Sequence, residues 1–76
     1  MSAEQEWVDR TKRFMKAELK RRDVTYEQLA ERLSEMGIPE SKASVASKLS
    51  RGTFAATFFL ASVAALGLEN IPLEDV

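Results

Sequence analysis

Hydroxyl and cationic side chains are concentrated in one short stretch of the sequence, from Ser41 to Arg51. It contains four serines and three cations, and no carboxylate occurs from Ser41 to Leu68. Hydroxyl and cationic groups donate hydrogen bonds to phosphate oxygens and to acceptor atoms on base edges. Because no acid within the stretch repels a polyanion, this composition favours contact with nucleic acid.

Enzymatic chemistry has few groups to draw on in this chain. It contains no histidine, which is the commonest general base, and no cysteine. These two residues are also the common ligands of zinc. Ser44 or Ser47 with Lys48 is formally a serine–lysine pair, but no oxyanion site accompanies it. We therefore predict that the protein is not an enzyme, with no catalytic residues, no metal site and no cofactor.

Four helices are predicted to position these side chains. Apolar residues recur three or four positions apart, which places them on one face of each helix. No stretch alternates in the manner of a strand. The predicted helices cover residues 3–22, 26–36, 41–51 and 57–66, followed by a tail over 67–76.

Capping residues support these boundaries. Thr25 with Gln28 three residues later is typical of a capping box, in which each side chain bonds the other residue's amide. Ser41 and Thr57 are the predicted caps of the third and fourth helices. Gly37 is expected to end the second helix in the left-handed conformation.

Size and composition set the remaining limits. With 76 residues the chain forms one domain, residues 1–76. The uncharged stretch Thr53–Leu68 is shorter than the roughly 20 apolar residues of a membrane-spanning helix. The amino-terminal residues lack the apolar run of a secretory signal. We expect an all-α, cytoplasmic protein without membrane contact.

The order of landmarks resembles the lambda-repressor-like (Cro/C1, XRE-type) helix-turn-helix family over about residues 15–68. The landmarks are TYEQLAERL, a turn with Gly37-Ile38, SVASKLSRG, and an apolar helix ending at Leu66-Gly67-Leu68. Roughly six additional residues before Gly52 indicate a divergent, uncharacterised branch. The resemblance implies a small domain of four or five helices. It also implies that the third helix enters the major groove and that the protein acts as a dimer.

The resemblance also implies which residues contact DNA. The positions expected to face bases are Lys42, Ala43, Ser44, Ser47 and Lys48. The positions expected to face the DNA backbone are Tyr26 and Arg51. Arg22 joins this set because it lies close to the start of the second helix. The basic face of the first helix, with Lys12, Arg13 and Lys16, is interpreted as a solvated surface.

The functional interpretation is a sequence-reading DNA-binding protein, a small transcriptional regulator, with double-stranded DNA and a second copy of the chain as partners. The alternative is a helical protein–protein interaction module, or an antitoxin-like accessory subunit, that has lost or shares DNA binding. The net charge of −1 and an acidic row in the second helix, Glu27, Glu31 and Glu35, favour the alternative. Trp7 and either Phe54 or Phe58 are expected in the core or at a dimer contact.

Overall fold

The four predicted helices are present in the computed structural model, which describes residues 2–76. Met1, the first residue of the predicted domain, lies outside the described residues. Across residues 2–76 the chain contains no strand, so the all-α, four-helix prediction is confirmed. The elements are α1 (Ala3–Arg21), α2 (Tyr26–Glu35), α3 (Lys42–Arg51), α4 (Ala56–Ala65) and a 3-10 turn (Leu73–Asp75).

Reciprocal hydrogen bonds fix the starts of α2 and α3. The Thr25 hydroxyl accepts from the Gln28 amide at 3.1 Å, and the Gln28 side chain accepts from the Thr25 amide at 2.9 Å. Ser41 and Ser44 form the same arrangement at the start of α3, at 3.1 and 2.9 Å. Each box satisfies two amides that have no partner inside the helix. The predicted caps at Thr25 and Ser41 are confirmed.

The ends of α1 and α2 share one backbone motif. Gly37 follows α2 with φ +86°, and the Ile38 amide donates to the Leu33 carbonyl at 2.9 Å. Asp23 occupies the equivalent position after α1 with φ +56°, where the Val24 amide donates to Leu19 at 2.9 Å. The left-handed residue reverses the chain and satisfies a carbonyl of the last turn. The predicted role of Gly37 is confirmed.

The predicted cap of α4 at Thr57 is wrong. The helix begins one residue earlier, after Ala55, whose carbonyl accepts from the Phe58 amide at 3.0 Å. This start places Phe58 in the core, where it is 4% exposed. Burying such a ring contributes about 1.5–3 kcal/mol, whereas a side-chain cap contributes about 1 kcal/mol. Core packing therefore sets the start of α4, and Thr57 lies exposed in its first turn.

The centre of the core is built from α1, α2 and α3. Its fully buried apolar side chains are Met15, Leu29, Leu33, Val45 and Leu49. α4 covers this centre with Phe58, Val63 and Leu66. Because the buried positions of α3 lie four residues apart, one side of this helix is anchored in the core and the opposite side faces outward.

Candidate nucleic-acid interface

The outward side of α3 carries four of the eight residues predicted to contact DNA. Lys42, Ala43, Ser47 and Arg51 are all exposed. Ala43, Ser47 and Arg51 are spaced by four residues, so they form one row along the helix. Lys42 lies beside this row in the first turn. We call these four residues the α3 row.

Arg51 keeps its charge available on this row. Its guanidinium lies 3.4 Å from the Ser47 hydroxyl and 3.4 Å from the Thr53 carbonyl. Both distances are at the long limit of a hydrogen bond, and neither partner is a carboxylate. The Arg51 side chain can therefore leave these contacts for a stronger acceptor at small cost.

Ser44 is engaged in the structure of the helix itself. Its hydroxyl accepts from the Ser41 amide at 2.9 Å and lies 2.6 Å from a carboxylate oxygen of Glu40, to which it donates. A base contact by this hydroxyl would require the cap to open. Of the two predicted serine contacts, Ser47 is the accessible one and Ser44 supports the start of α3.

Lys48 is paired with a carboxylate. Its Nζ lies 2.5 Å from Oε2 of Glu40, whose side chain is only 6% exposed, and 4.8 Å from the centre of the Phe58 ring. Burial raises the pKa of Glu40, but hydrogen bonds from Lys48 and Ser44 outweigh it and hold the pKa below its ordinary value. Glu40 is therefore charged at neutral pH and compensates the charge of Lys48.

Glu40 is the residue of this surface whose contacts sequence analysis missed. It lies immediately before the carboxylate-free stretch, so that stretch appeared more positive than its surroundings make it. The spacing contained a signal, since Ser44 and Lys48 are four residues apart on one face of α3, and Glu40 lies four residues before Ser44, just ahead of the cap.

Arg22 is occupied by a contact between α1 and α4. Its Nε lies 3.2 Å from Glu18, which is 5% exposed, and its Nη1 donates to the Leu66 carbonyl at 2.9 Å. This guanidinium compensates a buried carboxylate and the negative end of the α4 dipole. Tyr26, the first residue of α2, is half-buried and packs against the core. The structure does not bring either residue onto the α3 row.

A shallow acidic groove of about 370 Å³ lies between α2 and the start of α3. It is lined by Glu27, Glu31, Glu35, Ser34, Ala30 and Glu40. The three glutamates of α2 therefore share one surface with the residue that precedes α3. Acidic side chains therefore border the amino-terminal end of α3, while Arg51 lies at its other end.

Two further features concern metal binding and membrane spanning by residues 2–76. Within that range no group of three or more acidic side chains is arranged to hold a metal ion. None of the helices in the same range has the length and apolar character needed to cross a membrane.

Fold and surface together define a small all-helical domain in which the outward face of α3 carries hydroxyl and cationic groups and no carboxylate. The chain belongs to the family described as a domain of unknown function, DUF6471, whose model matches residues 7–71. No curated protein and no solved structure matches the chain.

Proposed function

We propose that the protein binds double-stranded DNA as a small transcriptional regulator of the lambda-repressor-like type, with α3 in the major groove. The observation that carries this proposal is the α3 row, which is exposed and free of carboxylates along its length. An α-helix with its side chains is about 10–12 Å wide, and the major groove is about 12 Å wide. Val45 and Leu49 anchor the inner side of α3 in the core, so the helix can enter the groove as a rigid element.

Each member of the α3 row has a role that fits its chemistry. Lys42 lies in the first turn, where the helix dipole and free amides also attract a phosphate. The Ala43 methyl suits the methyl group of thymine, and the Ser47 hydroxyl suits either a base edge or a phosphate. Arg51 suits the two acceptors of guanine or a phosphate. Lys48, Ser44 and Arg22 support the helices that hold the row.

The alternative function is binding of a basic protein segment, as an interaction module or an antitoxin-like accessory subunit. The observation that favours it is the acidic groove, because Glu40 there compensates Lys48 and reduces the cationic character of α3. A lysine- or arginine-rich partner would be attracted to this groove, whereas a phosphate backbone would be repelled.

Selection of bound sequences from a random duplex pool separates the two functions. A regulator should enrich one sequence pattern at low salt, and the enriched duplex should lose affinity as salt rises. The variant Ser47→Ala should change preference at one or two positions of that pattern, because its hydroxyl would contact base edges. Failure to retain any duplex at about 50 mM salt, where phosphate contacts are strong, would exclude the DNA-binding proposal.

A further inference from the structure

An apolar groove of about 510 Å³ runs along the amino-terminal half of α1. It is bounded by Trp7 and Val8 of α1, by Phe54 and Phe59 near the start of α4, and by Ile71 and Leu73 of the tail. We call it the α1 groove. Sites for small organic molecules are typically clefts of about 300–1,000 Å³ with mostly apolar and aromatic walls. The α1 groove therefore has the size and the lining of a small-molecule site.

Three aromatic rings line the α1 groove. Phe54 and Phe59 are half-buried, and their ring centres lie 6.4 Å apart with the ring planes inclined by 17°. Trp7 is 48% exposed, so its ring is accessible to a ligand. The faces of such rings attract organic cations as well as apolar groups. Trp7 shows this property within the fold, because the Arg10 guanidinium lies 4.1 Å from the centre of its ring, although Arg10 does not line the groove.

Glu4 is the one charged side chain among the residues that line the α1 groove. It is exposed in the first turn of α1, and no lysine or arginine within residues 2–76 forms a salt bridge with it. Thr11, the other polar side chain that α1 contributes, is already engaged, since its hydroxyl donates to the Trp7 carbonyl at 2.8 Å. The lining therefore offers a negative acceptor and no cationic side chain, so its charge is complementary to that of a cation.

We infer that the α1 groove binds a small organic ammonium ion with an aromatic or branched apolar body. The apolar body packs against Trp7 and Phe54, and the ammonium group donates to the Glu4 carboxylate. A neutral molecule of the same shape gains only the apolar contact, and an anionic one is repelled by Glu4. The inference does not depend on DNA binding, because no residue of the α3 row lines the groove.

Trp7 provides a direct test because it is the only tryptophan in the sequence. The probes are phenethylammonium, phenethyl alcohol and phenylacetate, which share a phenyl ring and differ in charge, and the emission of Trp7 is recorded as each is added. The ammonium should give a saturable change and bind about three- to tenfold more tightly than the alcohol, with the carboxylate weakest. No saturable change with any probe up to its solubility limit would overturn the inference, as would equal affinity for the ammonium and the alcohol.

Glu4→Gln tests the contact with the ammonium group. This variant should lose the preference for the ammonium over the alcohol and should bind the alcohol as the wild-type protein does. Glu6→Gln is the matched control, because Glu6 is also exposed in the first turn of α1 but does not line the α1 groove. A preference that survives in Glu4→Gln, or falls equally in both variants, would overturn the inference.

Leu73→Lys tests the place of binding and keeps the tryptophan probe. Leu73 is 69% exposed, so the lysine leaves the core intact and adds a positive charge beside the α1 groove. The ammonium should bind about threefold more weakly to this variant, because like charges repel. Leu60→Lys is the control, since Leu60 is 54% exposed and lies outside the groove, and circular dichroism checks the folding of both. Equal affinity of the two variants for the ammonium would overturn the inference.

Discussion

Glu40 and Lys48 form an ion pair at 2.5 Å that joins the residue preceding the Ser41 cap to the second turn of α3. The Glu40 carboxylate also accepts a hydrogen bond from the Ser44 hydroxyl, so it stabilises both the start and the middle of α3. Of the three cations in α3, Lys48 is therefore compensated, while Lys42 and Arg51 remain for an external anion. The positive charge that α3 offers to an anionic partner is smaller than the composition of the stretch indicates.

Glu40→Gln should strengthen binding to duplex DNA. The substitution removes a negative charge beside α3 and releases Lys48, which can then approach one further phosphate. Under the counterion-release relation, one further phosphate contact makes the slope of log affinity against log salt steeper by about 0.9. Fluorescence anisotropy across a salt series measures this slope. Glu35→Gln is the control, because it removes an acid from the same groove without freeing a lysine, and an equal effect of both variants would contradict the role given to Lys48.

The stability of the protein should depend on pH through Glu40. The pKa of Glu40 is lower in the folded protein than its ordinary value of 4.5, so the folded state favours the charged form. The resulting stabilisation is complete above pH 4.5 and is lost as the pH falls through the lowered pKa. Urea unfolding should show wild-type protein more stable than Glu40→Gln by about 1–2 kcal/mol at pH 7. That difference should shrink at pH 3, and a constant difference would contradict the ion-pair account.

Arg22→Ala should destabilise the fold without changing the DNA contact. It removes one of the two guanidinium partners of the buried Glu18 carboxylate and the donor to Leu66, at a cost of about 2 kcal/mol. Arg21→Ala is the matched control, because the Arg21 side chain is 69% exposed and solvent screens its pairing with Glu18, which should contribute less than about 1 kcal/mol. Chemical denaturation compares the two variants. A selective loss of DNA affinity in fully folded Arg22→Ala would show instead that Arg22 contacts DNA.

Gly52 fits α3 against α1, and its substitution should cost more than that of Gly37. Both glycines are left-handed, with φ +75° and +86°, so alanine at either position adds about 1–2 kcal/mol of backbone strain. At Gly52 a Cβ would also lie 2.5 Å from Lys12 Cγ and 2.7 Å from Val8 Cγ1, whereas nothing lies within 4 Å at Gly37. We expect Gly52→Ala to cost about 1–3 kcal/mol more than Gly37→Ala in thermal or urea unfolding. Equal losses would show that α1 adjusts freely at this contact.

The helices could be predicted from the sequence because their signals are local. Thr25 with Gln28, Ser41 and Gly37 lie within a few residues of the boundaries that they define, and the apolar periodicity specifies which faces are buried. The prediction that Thr57 caps α4 was wrong for the opposite reason. The boundary there depends on how Phe58 packs into a core built from distant segments, and no local pattern records that contact.

The candidate site could be predicted only in part. The outward face of α3 follows from the spacing of its apolar residues, so Lys42, Ser47 and Arg51 could be identified from the sequence. The occupation of Arg22 depends on Glu18 and on the end of α4, 44 residues away in the chain. Lys12 was placed on a solvated face, yet it is half-buried and its stem borders Gly52, because α1 crosses the end of α3 there. These contacts arise from the packing of whole helices.

The most direct test of the account is the salt dependence of duplex binding after two charges are removed from the α3 row. In Lys42→Ala with Arg51→Ala, the slope of log affinity against log salt should become shallower by about 1.8, corresponding to two lost phosphate contacts if both cations lie on the backbone. The control, Lys16→Ala with Lys20→Ala, removes the same charge from α1 and should leave the slope close to that of the wild-type protein. An unchanged slope in the first variant, or an equal decrease in both, would contradict binding of DNA through α3.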